Sequence, residues 1–230
     1  TVTFLITDIE QSTRRWEEEP DTMREALKQH DAILRESIES NGGWLFKHTG
    51  DGILAAFSTA QSAINAAIAA QRLLELPVRM GICTGEAESR GDDYFGSALN
   101  RAARTMAAGH GGQVVVAAST AAIVDRVGLT DLGEHRLRDL SQLQRLYQVQ
   151  ADGLKATFPP LKTLTAAPGN LPAQATTFLG REKDLTEVGA LLRTARLVTL
   201  TGVGGVGKTR LAIEVAAEAS AEYRDGAWLV

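Results

Sequence analysis

The sequence predicts an α+β fold in which a ferredoxin-like βαββαβ core carries additional C-terminal helix and strand elements. Three observations support this. Strand-length and helix-length apolar runs follow one another through the first 150 residues, a proline-containing stretch comes next, and a glycine-rich turn then precedes one more helix. The chain has 230 residues, of which 44% are hydrophobic and 23% are charged, a balance typical of a globular protein.

The first half of the core shows a regular order of elements. Residues 21–40 have an amphipathic helical pattern that ends at Asn41-Gly42-Gly43, and a tight turn at Gly50-Asp51-Gly52 joins two strand-like runs. The predicted elements are a strand at 1–8, a helix at 21–40, strands at 44–48 and 52–58, a helix at 60–76 and a strand at 76–87. This order is that of a split βαβ unit, whose helices cover an antiparallel sheet.

The second half of the first domain extends this core. Its predicted elements are a helix at 95–108, a strand at 113–117, a short helix at 119–126, and strands at 129–137 and 145–150. We therefore expect the first domain to span residues 1–152. A linker at 153–177 contains four of the six prolines, and residues 178–230 begin a second, truncated α/β unit with a strand at 196–202.

Composition limits the classes of partner. The net charge of -4 argues against a nucleic-acid surface, and no apolar run approaches the 18 residues that a membrane helix needs. Cys83 is the only cysteine, so an internal disulfide is impossible. We expect a packed, inert thiol and a reducing, cytoplasmic location, with no membrane or nucleic-acid partner.

Two carboxylates are predicted to converge in the first domain. Asp8 ends the first strand, and Asp51 lies in the turn of the neighbouring hairpin. Two carboxylates at short range repel each other unless a cation lies between them, and Mg²⁺ accepts such ligands together with substrate phosphates. By themselves, Asp8 as a helix cap and Asp51 as a turn residue remain an equally simple interpretation.

Two further pairs suit a nucleotide. Asn100 and Arg104 are four residues apart on one helix face, and an amide with a guanidinium fits ribose and phosphate. Lys47 and Asp93 offer a donor and an acceptor that match the hydrogen-bonding edge of adenine, whereas guanine would need the reverse polarity. Each of these residues alone is also compatible with an ordinary solvated surface.

Three segments together resemble the class III adenylate/guanylate cyclase catalytic domain. They are TFLITDIEQST (3–13), FKHTGDGILAAF (46–57) and DYFGSALNRAAR (93–104), and the resemblance covers about residues 1–150. It implies formation of 3′,5′-cyclic AMP and pyrophosphate from ATP, with two Mg²⁺ or Mn²⁺ ions per site. The implied metal ligands are Asp8, Asp51 and the backbone carbonyl of Ile9.

The same resemblance implies the remaining roles. Lys47 and Asp93 match the adenine-selecting pair, and Asn100 and Arg104 match the residues that orient the ribose and stabilise the transition state. Arg138 stands where the family usually has a triphosphate-binding lysine. The family also implies a homodimer with two shared sites, because each site takes residues from both subunits.

One departure from the family pattern concerns the turn after the first strand. Gln11 replaces a glycine that usually contacts phosphate there, so its side chain is expected to crowd the backbone approach.

A second motif lies in residues 178–230. GVGGVGKT (202–209) satisfies the P-loop pattern, in which Gly202 and Gly207 frame the loop, Lys208 reaches phosphates and Thr209 ligates Mg²⁺. With FLGRE upstream it resembles the start of an NB-ARC-type signal-transduction ATPase. The acidic strand that completes such a site does not occur before Val230, so hydrolysis by this segment is not expected.

Three other functions stay open at this level. Guanylate cyclase is one, against which Lys47 and Asp93 argue. The others are a degenerate nucleotide-binding regulator, favoured only by Gln11 and Arg138, and a P-loop ATPase with an N-terminal appendage.

Overall fold

The computed structural model describes residues 1–91, 93–124, 128–163, 171–172, 181–220, 223 and 226–230. The chain divides into two compact units. The first comprises Thr1–Leu137 and Leu143–Lys162, and the second comprises Arg138–Gln142 and Thr163–Val230. Among the described residues, no helix combines the length and apolar character that crossing a bilayer would require.

The first unit contains five helices and nine strands within the described ranges. In chain order these are β1 (Val2–Ile9), α1 (Ser12–Glu18), α2 (Pro20–Ser40), β2 (Trp44–His48), β3 (Ile53–Phe57), α3 (Ala60–Leu73), β4 (Val78–Gly85), β5 (Glu88–Arg90), β6 (Asp93–Phe95), α4 (Ser97–Ala108), β7 (Val114–Ala117), α5 (Ala118–Ala121), β8 (Leu129–His135) and β9 (Gln144–Val149).

Seven strands form one mixed sheet in the order β2-β3-β1-β4-β7-β9-β8, and β5 and β6 form a separate hairpin. Strand β1 pairs antiparallel with both β3 and β4, which confirms the ferredoxin-like core. Strand β7 then joins β4 in parallel, so the complete sheet is mixed. The parallel pair is possible because α4 crosses over one face between these two strands.

The alternation of side chains along β1 separates the two faces of the sheet. Leu5 and Ile9 point into a core built with α2 and α3, whereas Phe4 and Ile6 pack against α4. Asp8 has the same parity as Phe4 and Ile6. It therefore leaves β1 on the α4 face of the sheet.

Two elements in the first unit were not predicted. Helix α1 contains no buried residue, so its sequence lacks the apolar stripe by which an amphipathic helix is detected. The β5–β6 hairpin has three-residue strands, which are too short for a periodicity signal.

The linker was expected to begin at residue 153, but the first unit continues to Lys162. Its last residues are held by hydrogen bonds to the domain, among them Lys162 N–H to the Ala108 carbonyl (2.8 Å) and His110 Nε2 to the Pro160 carbonyl (2.9 Å). Proline content alone did not reveal these contacts. The rest of the predicted linker falls largely outside the described residues.

The second unit contains α6 (Glu182–Thr194) and α7 (Lys208–Ala219). The strand predicted at 196–202 is a wrong prediction, because these residues have no regular secondary structure. Its β-branched and apolar residues have the propensity for a strand, but a strand also needs a neighbour with which to form hydrogen bonds. None of the assigned strands pairs with this segment.

Candidate active site

The end of β1 and the β2–β3 turn are joined through their backbones. The Ile9 N–H donates to the Asp51 carbonyl over 3.1 Å, and the Thr49 N–H closes the turn onto the Gly52 carbonyl at 2.9 Å. At Gly52 a Cβ atom would lie 2.1 Å from the Thr7 carbonyl oxygen, so only glycine permits this approach. Asp8 and Asp51 are thereby brought to the same corner of the sheet, as the sequence predicted.

Both carboxylates have protein partners that sequence reasoning missed. Arg79 Nε and Nη2 lie 2.8 and 2.6 Å from Asp8 Oδ2, and the Ser12 hydroxyl donates to Asp51 Oδ2 over 2.6 Å. Arg79 is the residue opposite Asp8 in the β1–β4 pairing. The register of that pairing was the available signal, since residues opposite each other in a strand pair point to the same face.

The donor set suits a hard divalent cation. Both contacts engage Oδ2, and neither Oδ1 has a hydrogen-bond donor among the residues that the structure describes. Mg²⁺ typically uses one or two protein carboxylates and completes its shell with water and phosphate oxygens. No cluster of three or more histidine, cysteine, aspartate or glutamate side chains occurs within the described ranges.

Lys47 and Asp93 form a direct ion pair. Lys47 Nζ lies 2.8 Å from Asp93 Oδ2, and the Tyr94 N–H donates to Asp93 Oδ1, also over 2.8 Å. The hydrogen bond from Lys47 is the main reason that the pKa of Asp93 lies below its usual value. Both side chains are partly exposed, so they remain accessible to a ligand.

An aromatic cluster fixes the β5–β6 hairpin to the sheet and so positions Asp93. Tyr94 packs edge-on against Phe4 and Phe46, with ring centroids 5.3 and 5.2 Å apart, and against Trp44 at 5.8 Å. Edge-to-face packing of this kind favours one hairpin orientation over others. The aromatic contacts therefore explain how residues 46 positions apart in sequence form the Lys47–Asp93 pair.

Asn100 and Arg104 both lie on α4, with Asn100 exposed and Arg104 half-buried. The buried side of α4 is made of small residues, Ala98 and Ala102, which pack on β1 and β4. At Gly81 a Cβ atom would lie 2.3 Å from the Met106 backbone nitrogen. This close contact sets the distance of α4, and hence of Asn100 and Arg104, from the sheet.

Gln11 has a left-handed backbone conformation, with φ 60° and ψ 32°. Glycine adopts this conformation without steric cost. Gln11 therefore replaces the family's usual glycine at a position where glycine is physically preferred. Its backbone carbonyl accepts from the Arg15 N–H at 3.2 Å, so the residue begins helix α1.

Glu10 lies beside the carboxylate corner and was not predicted to be important. It accepts from the Gly111 N–H at 2.8 Å and forms an ion pair with Lys162. Burial alone would raise the pKa of Glu10, but these partners bring it below its ordinary value. The residue thus ties the last part of the first unit to the end of β1.

The remaining predicted residues belong to the second unit. Arg138 lies in its 138–142 segment, where Arg138 Nη2 is 3.2 Å from Glu218 Oε1. Lys208 Nζ donates to the carbonyls of Gly202 and Val203, both at 2.9 Å. Gly207 adopts φ 84° and precedes α7, which begins at Lys208 and continues through Thr209.

No protein-family model matches the chain. An uncharacterised protein of Mycobacterium tuberculosis is 37% identical over 196 residues, covering 81% of this chain and 69% of its own length. An adenylate cyclase of Podospora anserina is 32% identical over 159 residues, which cover 54% of this chain but only 7% of that much longer protein.

Solved structures of cyclases are also similar to this chain. Adenylate cyclases of Trypanosoma brucei, analysed in their monomeric state, include one that superposes with a TM-score of 0.65 at 26% identity over 70% of this chain and 92% of theirs. The first unit is similar to class III adenylate/guanylate cyclase catalytic domains. A cyclase described as adenylate/guanylate cyclase/hydrolase from Silicibacter pomeroyi aligns at 28% identity and a TM-score of 0.58, covering 66% of this chain and 98% of its own.

This similarity applies to the first unit with its mixed sheet and covering helices, which we call the cyclase domain. Both adenylate and guanylate cyclases occur among the structural neighbours, so the likeness does not identify the purine. The choice of purine depends on the side chains of this chain.

Proposed function

We propose that the cyclase domain is an adenylate cyclase that converts ATP to 3′,5′-cyclic AMP and pyrophosphate. The observation that carries this proposal is the Lys47–Asp93 pair, which brings a donor and an acceptor together at one place. Adenine presents a ring-nitrogen acceptor and an amine donor, which a lysine and an aspartate complement. Guanine presents the opposite polarity along the same edge.

The proposed metal ligands are Asp8, Asp51 and the Ile9 carbonyl. Class III cyclases generally use Mg²⁺ or Mn²⁺, and two ions per site would lower the pKa of the ribose hydroxyl and neutralise charge on the phosphates. Arg79 balances the charge of Asp8 in the structure as described. Ser12 fixes the orientation of the Asp51 carboxylate.

The reaction forms a bond between the ribose 3′ oxygen and the α-phosphorus, and it breaks the bond from that phosphorus to the pyrophosphate. Asn100 would orient the ribose, and the Arg104 guanidinium would stabilise the negative charge that develops on the phosphorus oxygens. Arg138 is proposed as a triphosphate contact, on the position it occupies in the family pattern.

Two copies of the chain are proposed to build each site. Class III cyclases work as dimers, and one protomer would supply Asp8 and Asp51 while its partner supplies the residues of the Lys47–Asp93 and Asn100–Arg104 pairs. A symmetric homodimer then contains two equivalent sites at one isologous interface.

The segment of the second unit with the P-loop pattern is proposed as part of a regulatory module. The arrangement of Lys208 over the carbonyls of Gly202 and Val203 is compatible with a loop that exchanges these bonds for phosphate oxygens. Cyclase turnover would not depend on this loop, so Lys208→Ala is expected to leave cyclic nucleotide formation unchanged.

Product formation tests the main proposal. ATP and GTP are each incubated with Mg²⁺ and with Mn²⁺, and the products are separated by chromatography. We expect cyclic AMP and pyrophosphate from ATP, and at least tenfold less product from GTP. Equal turnover of both nucleotides would overturn the purine assignment, and no turnover in a sample shown to be dimeric would favour a degenerate regulator.

A further inference from the structure

A series of polar contacts links helix α2 to the turn that carries Asp51. The Gly50 N–H donates to His48 Nδ1 over 3.1 Å. His48 Nε2 lies 3.0 Å from Asp31 Oδ1, and the same oxygen lies 2.8 Å from His30 Nδ1. None of these side chains belongs to the proposed metal or nucleotide ligands.

The contacts fix the protons on both imidazole rings. A backbone N–H is always a donor, so His48 Nδ1 accepts and the proton of the neutral ring sits on Nε2, next to the Asp31 carboxylate. His30 Nδ1 must likewise carry a proton, because its partner is a carboxylate oxygen. His30 is 1% exposed, and burial lowers its pKa, so it remains neutral while it donates.

Asp31 lies on helix α2, which is anchored in the core. Helix α2 runs from Pro20 to Ser40, and its buried side, which includes Leu34 and Ile38, packs in the main core. The buried His30 side chain forms a hydrogen bond with the Asp31 carboxylate. The first part of the β2–β3 turn, in contrast, is exposed at Thr49 and Gly50, and Gly50 has φ 98°. A turn of this kind needs external contacts if its side chains are to keep one direction.

We propose that His48, oriented by Asp31, is a positioning residue for Asp51. Its Nδ1 fixes the Gly50 amide, and this bond sets the direction in which the next residue presents its carboxylate. The bond from residue 48 to the N–H two residues later imitates the turn that an asparagine side chain makes. This inference rests on the proposed metal-binding role of Asp51.

Outer contacts that orient metal ligands typically alter metal affinity by about 10- to 100-fold. We therefore expect His48→Leu to weaken Mn²⁺ binding about tenfold. His48→Asn keeps an acceptor for the Gly50 N–H, and binding within about threefold of the parent is expected. Asp31→Ala should weaken binding when His48 is present but not in the His48→Asn background, because asparagine is too short to reach residue 31.

The experiment measures free Mn²⁺ by electron paramagnetic resonance with the full chain and α,β-methylene ATP, so that no turnover occurs. Glu39→Ala is the matched control, since it removes another carboxylate from α2 whose ion pair, among the described residues, is the exposed one with Arg35. Thermal unfolding of each variant is recorded in parallel. An unfolding midpoint within a few degrees of the parent shows that a binding change is not general unfolding.

Asp51→Ala separates this inference from the proposed function. Loss of Mn²⁺ binding in Asp51→Ala together with unchanged binding in His48→Leu would overturn the positioning role and leave the metal assignment intact. Unchanged binding in Asp51→Ala would overturn the metal assignment, and the positioning role with it. Equal losses in His48→Leu and His48→Asn would also overturn it.

Discussion

The backbone N–H of Ile9 donates a hydrogen bond to the backbone carbonyl of Asp51 over 3.1 Å. This bond joins the end of β1 to the β2–β3 turn, so that the backbones of two aspartates 43 positions apart in the sequence lie at one corner of the sheet. Because the bond is made by backbone atoms, side-chain substitutions at either aspartate leave the corner of the sheet in place. Such variants can therefore report on chemistry rather than on folding.

The shared-site hypothesis predicts complementation between two inactive proteins. Asp51→Ala and Asn100→Ala should each lose nearly all activity, since one removes a proposed metal ligand and the other a proposed ribose contact. After mixing and subunit exchange, about half of the dimers are mixed, and each has one intact site of two. Activity should therefore return to about a quarter of the parent value, measured as cyclic AMP formed per dimer.

A double variant provides the control for complementation. Asp51→Ala/Asn100→Ala mixed with Asp51→Ala contains no intact site in any combination and should stay inactive. Failure of the two single variants to recover, with heterodimers demonstrated by mass, would contradict the shared-site hypothesis.

Reversing the Lys47–Asp93 pair should shift the choice of purine. Lys47→Glu/Asp93→Lys keeps an ion pair between the hairpin and β2 but inverts the donor and acceptor that face the base. We expect the ratio of kcat/KM for ATP over GTP to fall at least about tenfold, since one mismatched hydrogen-bond pair typically costs 1–3 kcal/mol. An unchanged ratio, with each single variant folded, would show that other residues select the base.

Replacing Gln11 by glycine should relieve backbone strain. A non-glycine residue in the left-handed region costs about 1 kcal/mol, and glycine loses part of this gain through the greater entropy of its unfolded chain. We expect the unfolding midpoint to rise or stay the same, and cyclase activity to be retained or increased. A drop in stability of more than about 1 kcal/mol would mean that the glutamine side chain makes a contact of its own.

Gly81→Ala should disturb the site by displacing α4, which carries Asn100 and Arg104. Its Cβ would meet the Met106 backbone, so α4 must shift, and we expect a loss of about 1–3 kcal/mol in unfolding free energy with a marked fall in activity. Gly189→Ala is the matched control, because no atom of the described residues outside its own helix turn lies within 4 Å of its added Cβ. It should leave activity unchanged. Equal behaviour of the two variants would contradict the packing argument.

His30 should make the protein less stable in acid. Burial lowers the pKa of His30 in the folded state below the ordinary value of 6.5. Below that pH the unfolded chain therefore binds a proton at His30 more readily than the folded domain does. The stabilisation is complete above pH 6.5 and is lost as the pH falls below it, by at most about 1.4 kcal/mol per pH unit. Urea unfolding at pH 7.5 and 5.5 should therefore show a smaller decrease for His30→Asn, which keeps a donor near Asp31 but cannot titrate.

Local patterns were sufficient for most of the core. Strand and helix periodicity predicted the ferredoxin-like order, and the long helix α2 begins and ends within one residue of its prediction. Asp8 and Asp51 were predicted to converge because a strand end and a hairpin turn are neighbours in that topology. The Ile9–Asp51 bond brings the two backbone segments together, and the shared metal site stays a prediction. The signal failed where periodicity is weak, at the exposed helix α1 and the short strands β5 and β6.

The sequence by itself determined the fold class, the order of most elements along the chain and the types of side chain at the candidate site, because these depend on local periodicity and on short motifs. Only the tertiary structure decided that Arg79 pairs with Asp8, that Ser12 holds Asp51, and that His48 connects the turn to Asp31 on α2. These partners come from elements distant in the chain. Their meeting depends on strand register and on how closely a helix approaches the sheet, which no local pattern encodes.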